Sequence, residues 1–171
     1  MGMRLGANFK NSPYQVAPVK VSDAGKERLK NELGWSAVET DSALYGAETV
    51  VLAVPNTEIG KVSHAIVDTL KPGTMVIALD AAAPYAGHLP LRKDTAYFVI
   101  HPCHPPIFND ETDMRAKLDR FGGVAAKQAI VGCLMQGPEA AIQFGKSVLM
   151  RDDWKRVFEP DEIAASIRRV T

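Results

Sequence analysis

The sequence predicts an α/β fold, a doubly wound and mainly parallel sheet with helices on both faces. Three observations predict it. Short apolar runs alternate with amphipathic stretches along the chain, as they do in repeated strand–helix units. The runs themselves, such as "TVVLAV" at 49–54 and "MVIAL" at 75–79, are continuous rather than alternating, so each strand needs cover on both sides. A length of 171 residues suits one domain with a sizeable core and is short for two.

In chain order, Gln15–Val21, Thr49–Val54, Thr74–Leu79, Tyr97–Ile100 and a weaker Lys155–Phe158 are the expected strands. Val16, Val19, Val50, Val51, Leu52, Val76, Ile77, Leu79, Phe98 and Val99 are expected to be buried in one sheet. Between the strands, "SDAGKERLKNELG" at 22–34 opens on a Ser-Asp cap, repeats Leu29 and Leu33 at helical spacing and stops at Gly34. "PNTEIGKVSHAIVDTLKPG" at 55–73 sets Ile59, Val62, Ile66 and Leu70 on one face before a Pro72-Gly73 stop. "ETDMRAKLDRF" and "GPEAAIQFGKSVLM" make a third and a fourth helix. No internal repeat, low-complexity segment or linker interrupts this order.

Composition narrows the partners. Twenty basic and twenty acidic side chains give a formal charge of zero, so nothing electrostatic favours nucleic acid or an anionic membrane. A small-molecule substrate is the expected partner, and a homo-oligomer is compatible with the sequence. Cys103 and Cys133 lie far apart, and no secretory leader or spanning apolar stretch is evident. The expectation is a cytoplasmic protein with reduced thiols.

Two strand ends carry functional signals. "ETVVLAVPNTEIGKV" ends an apolar strand in Val54-Pro55-Asn56 and starts a helix at once, which puts a short loop where open α/β sheets bind ligands. "TMVIALDAAAPYAGHLP" ends its strand in Asp80, followed by Ala81 and two more alanines, small enough for a flat ligand to approach the backbone. A tight turn packed by alanines is the plainer alternative.

The least ordinary stretch is "HPCHPP" at 101–106. A proline after each histidine holds the backbone extended, so His101 and His104 cannot share a helix face as the ligands of a helical zinc motif do. A stiff loop at a strand end aims them instead. Three roles stay open: a metal or substrate contact, with zinc as the candidate divalent ion; a general base; or a structural loop. Cys103 reads as a small hydrophobe. Asn109, Asp110, Glu111 and Asp113 read as a capping cluster for the helix after them. Lys127, in "AAKQAIV", suits a substrate carboxylate or a plain surface position equally.

The blocks "AVPNTEIGKV", "VIALDAAAPYAGHLP", "VIHPCHPPIFNDETD" and "FGGVAAKQAIVGCLMQGPEAA" resemble the NAD-binding part of the D-apionate oxidoisomerase group, oxidoreductases related to 6-phosphogluconate dehydrogenase and more distantly to ketol-acid reductoisomerase. The resemblance covers most of residues 1 to 150. It implies a Rossmann-like domain that binds NAD, without excluding NADP, and a helical domain that completes the site for a branched sugar acid such as D-apionate.

By the same resemblance, Gly2 matches the last glycine of the phosphate loop, and Val54, Pro55 and Asn56 match the loop along the cofactor ribose. At the end of the second strand, where an acidic side chain would grip the adenosine ribose, "VKVSD" offers Ser22 and Asp23. Lys20 nearby suits a phosphate or, more simply, solvent. His101, His104 and Lys127 are the implied catalytic group. Set against the group's pattern, residues 1–171 read as one Rossmann-like domain whose first strand and glycine-rich loop are missing and whose C-terminal helical catalytic domain is absent. That expectation carries two others, weak NAD binding and an inactive chain. Two functions therefore stand side by side: an NAD-dependent sugar-acid oxidoisomerase unit, and a non-catalytic binding module on the same scaffold.

Overall fold

Four of the five expected strands form in the computed structural model, which describes residues 2–103, 110–119, 125–126, 130–142, 145 and 154–157. They are β1 (Thr49–Leu52), β2 (Met75–Ala78), β3 (Ala96–Pro102) and β5 (Trp154–Val157). The additional strand, β4 (Ile130–Gln136), is the apolar run "IVGCLMQ". All five lie in one sheet in sequence order. β1, β2 and β3 run parallel, β4 returns antiparallel to β3, and β5 runs parallel to β4. The expectation of a mainly parallel sheet is met, with one antiparallel junction.

Gln15–Val21 does not form a strand. Its backbone joins the rest through a single bond, from the Val38 N–H to the Pro18 carbonyl, and Pro18 has no N–H to give to a ladder. Val19 is accordingly 38% exposed rather than buried, and Val16 is half-buried. β1, whose outer side has no strand partner among the described residues, keeps Val50 and Val51 only half-buried, and Leu79, one residue past β2, is likewise half-buried. The other expected core residues, Leu52, Val76, Ile77, Phe98 and Val99, are buried.

The helices are α1 (Gly2–Phe9), α2 (Asp23–Leu33), α3 (Thr40–Leu44), α4 (Asn56–Ile66), α5 (Ala82–Tyr85) and α6 (Met114–Leu118). α2 begins where Ser22 Oγ accepts the Gly25 N–H and ends at Gly34, whose φ of 70° only glycine adopts freely. α4 buries Ile59 and Ile66 and tightens into a 3-10 turn at Val67–Thr69 before Gly73. Asp113 caps α6 through the Arg115 N–H, as the capping cluster predicts. Of the expected fourth helix, residues 140–142 and 145 are helical and the remainder lies outside the described residues.

Two apolar clusters cover the sheet. Leu52, Val76, Ala78 and Tyr97 pack with Leu44 of α3, Ile59 and Ile66 of α4 and Ala83 of α5. Met75, Ile77, Ala96, Phe98 and Ile100 pack with Ala141. Helical residues thus lie over both faces, as continuous apolar strands require.

The "MQGPE" block proves to be a brace. Gln136 Nε2 donates to the carbonyls of Arg92 and Thr95 at 2.6 and 2.7 Å, tying the end of β4 to the loop that enters β3. Gly137 follows with a φ of 123°, and a Cβ there would stand 2.7 Å from the Ala96 Cβ and 3.1 Å from its Cα. Gly137→Ala is therefore expected to lower stability by about 2 kcal/mol or more, from backbone strain together with steric overlap. Denaturant unfolding of the variant checks this; an unchanged midpoint refutes it.

Candidate functional site

The carboxyl ends of β1, β2 and β3 meet at one edge because the three strands are parallel. Leu52 pairs with Ala78, and Ala78 with Val99. Two residues further along each chain come Val54, Asp80 and His101, so three segments flagged by the sequence reach one level of the sheet edge. Alternation along β3 sets His101 on the face of Tyr97 and Val99. Tyr97 belongs to the cluster that holds Leu52 and Ala78, with Val54 packed against it.

Local chemistry fixes each position. Val54 is half-buried; Pro55, exposed, caps α4, and Asn56 is its exposed first residue. Pro at this boundary suits the start of a helix, since its missing N–H would have no partner there. Asp80 Oδ1 accepts the Ala82 N–H at 2.8 Å, so one carboxylate oxygen holds the turn into α5. Ala81, half-buried, stands directly before that helix. His101 is exposed, although Val99 and Ile100 beside it are 1% and 2% exposed. Its backbone is held by pairing with Val131 of β4. A rigid strand thus presents an open imidazole at the ligand-binding edge.

Gly2 opens α1 next to the end of β1. A Cβ there would lie 3.4 Å from the Ala53 Cβ and 3.6 Å from Lys20 Nζ. A side chain would therefore fill the space between the start of α1, the end of β1 and the Lys20 ammonium. Glycine keeps that space open, and small residues with helix N–H groups beside a cation suit the phosphates of a dinucleotide. Ser22, also flagged, caps α2 with its oxygen, which leaves its O–H to donate. That Lys20 reaches Gly2 was not legible in a linear sequence, where a solvated lysine was the simpler expectation; its side chain is half-buried.

Other flagged residues divide. His104 and Lys127 lie outside the described residues. Among the described residues, no group of three or more His, Cys, Asp or Glu is placed to hold a metal ion, so the expectation of zinc finds no support in the geometry. Cys103 is half-buried, its thiol points to the His101 carbonyl at 3.7 Å, and burial pushes its pKa up. A thiol held protonated is neither a ready nucleophile nor a ready ligand, in keeping with its reading as a small hydrophobe. A cavity of about 540 Å³ lies at the opposite sheet edge, beside Met75 and Ala96, the first residues of β2 and β3. It is lined by Lys71, Lys93, Asp94 and Ala141 among others, and the flagged residues take no part in it.

With the fold and the site in place, the relatives can be set beside them. The family described as phosphogluconate dehydrogenase (decarboxylating) C-term matches residues 109–143 and 140–171. A D-apionate oxidoisomerase from Rhizobium rhizogenes is 45% identical over 263 residues, taking in 100% of this chain and 96% of the relative. That alignment is longer than the chain, so stretches of the relative face gaps here. A second D-apionate oxidoisomerase, from Cupriavidus necator, is 58% identical over 148 residues, covering 86% of this chain and 54% of that one. Against three curated relatives the chain spans about half their length. Among solved structures, a semialdehyde dehydrogenase NAD-binding protein from Cupriavidus necator, in complex with calcium and NAD, matches with a TM-score of 0.82 at 49% identity, covering 99% of this chain and 67% of that one.

The fold and strand-end site define a Rossmann-like dinucleotide-binding protein. The chain belongs to the D-apionate oxidoisomerase family, as the motif resemblance implied. No helix among the described residues is long and apolar enough to cross a membrane.

Proposed function

We propose that this chain is the dinucleotide-binding unit of a nicotinamide-dependent oxidoreductase of the oxidoisomerase type, acting in the cytoplasm on D-apionate or a closely similar branched sugar acid. The observation that carries the proposal is the 45% identity to a D-apionate oxidoisomerase across 96% of that relative. NAD is the cofactor in the solved structure at 49% identity. In this reading residues 1–171 act as one domain. Val54, Pro55, Asn56, Asp80 and Ala81 lie along the dinucleotide, and Gly2 leaves room for its phosphates.

When bound, the dinucleotide supplies the hydride acceptor. The chain's own residues prepare the substrate. His101 takes the hydroxyl proton as the neighbouring C–H bond gives up its hydride, a role that suits an imidazole near neutral pH. His104 orients the reacting oxygens, and Lys127 pairs with the substrate carboxylate. Each residue stands at the sheet edge or in a segment leading from it, where proximity has the most effect.

The test is to mix the chain with D-apionate and either NAD or NADP, following reduced nicotinamide by absorbance and the product by NMR. Steady formation of a reduced dinucleotide and an isomerised, oxidised acid is expected. If the dinucleotide binds but no sugar acid is turned over, the module is a binding unit and the catalytic assignment falls.

A further inference from the structure

We propose that Lys20 makes this site select the dinucleotide whose adenosine ribose carries a 2′-phosphate, NADP, over NAD, with Ser22 as a second donor to that phosphate. The proposal rests on the dinucleotide reading above and deepens it.

In doubly wound sheets the adenosine ribose lies by the end of the second strand. An acidic side chain there accepts hydrogen bonds from the ribose diol of NAD, whereas a cationic one accommodates a 2′-phosphate. Here that position holds Lys20, Val21 and Ser22. The ammonium of Lys20 lies 3.6 Å from where a Gly2 Cβ would be, and its side-chain stem passes 3.5 Å from where a Gly25 Cβ would be. The cation therefore spans the space between the starts of α1 and α2, beside the phosphate-facing glycine.

Its surroundings lack an anion. Lys20 is half-buried and has no ion-pair partner among the described residues. The neighbouring acid, Asp23, is exposed in the first turn of α2 and likewise makes no ion pair among them. A half-buried cation beside two positive helix ends is unfavourably placed until a negative group joins it. The hydrogen-bond inventory points the same way. Lys20 offers only donors, and Ser22 Oγ already accepts the Gly25 N–H, leaving its O–H to donate. Two donors suit a dianionic phosphate with three acceptor oxygens. They suit a ribose diol poorly, because its own O–H groups seek an acceptor.

The experiment is calorimetric titration of the chain and its Lys20→Glu and Lys20→Gln variants with NADP, NAD and the fragment pair adenosine 2′,5′-bisphosphate and 5′-AMP, with melting curves to establish that each variant is folded. Wild type is expected to bind the 2′-phosphorylated member of each pair at least about tenfold more tightly, the weight of one charge-assisted contact. Lys20→Gln should erase that preference and Lys20→Glu should reverse it. Equal weakening of NAD and NADP in both variants would place Lys20 on the pyrophosphate and overturn the selectivity while keeping the dinucleotide site. NAD binding as tightly as NADP in wild type would overturn it too. No binding of either dinucleotide would sink both the selectivity and the site.

Discussion

Replacing His101 by alanine is expected to lower turnover of the sugar acid by about 10²–10⁴-fold while leaving the melting temperature almost unmoved. The size follows from the loss of a positioned base. The lack of a stability effect follows from the structure. The ring is exposed at the end of β3, and the strand is held instead by backbone pairing to Val131 and by the burial of Val99 and Ile100. Truncating an exposed side chain with no packing role typically shifts stability by no more than about 0.5 kcal/mol. A structural histidine would behave in the opposite way, with a depressed melting temperature and near-normal turnover per folded molecule. His101→Gln adds a control, since it keeps a polar side chain but cannot exchange a proton near neutral pH. Turnover restored by glutamine would leave a positioning role and remove the base. The dinucleotide affinity of all three proteins should agree within a few fold, because the nicotinamide end of the site is held by other residues.

Much of this was legible in the sequence because strong local signals and tertiary packing agreed. Continuous apolar runs gave β1, β2 and β3 to within two residues, and the Ser22 and Gly34 boundaries of α2 were set by backbone needs that few residue types meet. Gln15–Val21 failed for a tertiary reason: an apolar, β-branched segment is a strand only when a neighbour accepts its hydrogen bonds, and here one backbone bond holds it. β4 was missed because its run follows directly on the flagged Lys127 segment, and its antiparallel pairing depends on a partner distant in sequence. At the site, the loop residues 54–56 and 80–81 were found from their place after strands. Their common level with His101 comes only from the strand register, which no linear spacing encodes. Lys20 shows the same limit, since its approach to Gly2 depends on how α1 sits against the end of β1.

Phe98→Ala is expected to produce the largest loss of stability in the described core, about 3–5 kcal/mol. Phe98 is 0% exposed at the centre of β3, packed with Met75, Ile77, Ile100 and Ala141. It pairs with Ile77 on one side and Leu134 on the other, so it stands where the parallel and antiparallel halves of the sheet join. The segment above it cannot readily move in to fill a cavity. A Cβ on Gly145 would already lie 2.8 Å from the Phe98 ring, so helix backbone is pressed against the aromatic face and the ring sets its height. Removing the ring leaves strands fixed below by hydrogen bonds and a helical segment above, the conditions under which little relaxation offsets the loss. Against a typical total of about 5–15 kcal/mol, that is a large fraction of what holds the domain together. For a chain of this size the melting temperature should fall by roughly 10 °C. Leu91→Ala is the matched control: Leu91 is 100% exposed, and its truncation should change stability by less than about 0.5 kcal/mol. If Phe98→Ala unfolds at nearly the wild-type denaturant midpoint while keeping the same transition slope, Gly145 does not seat the helical segment on β3, and that face of the sheet is open.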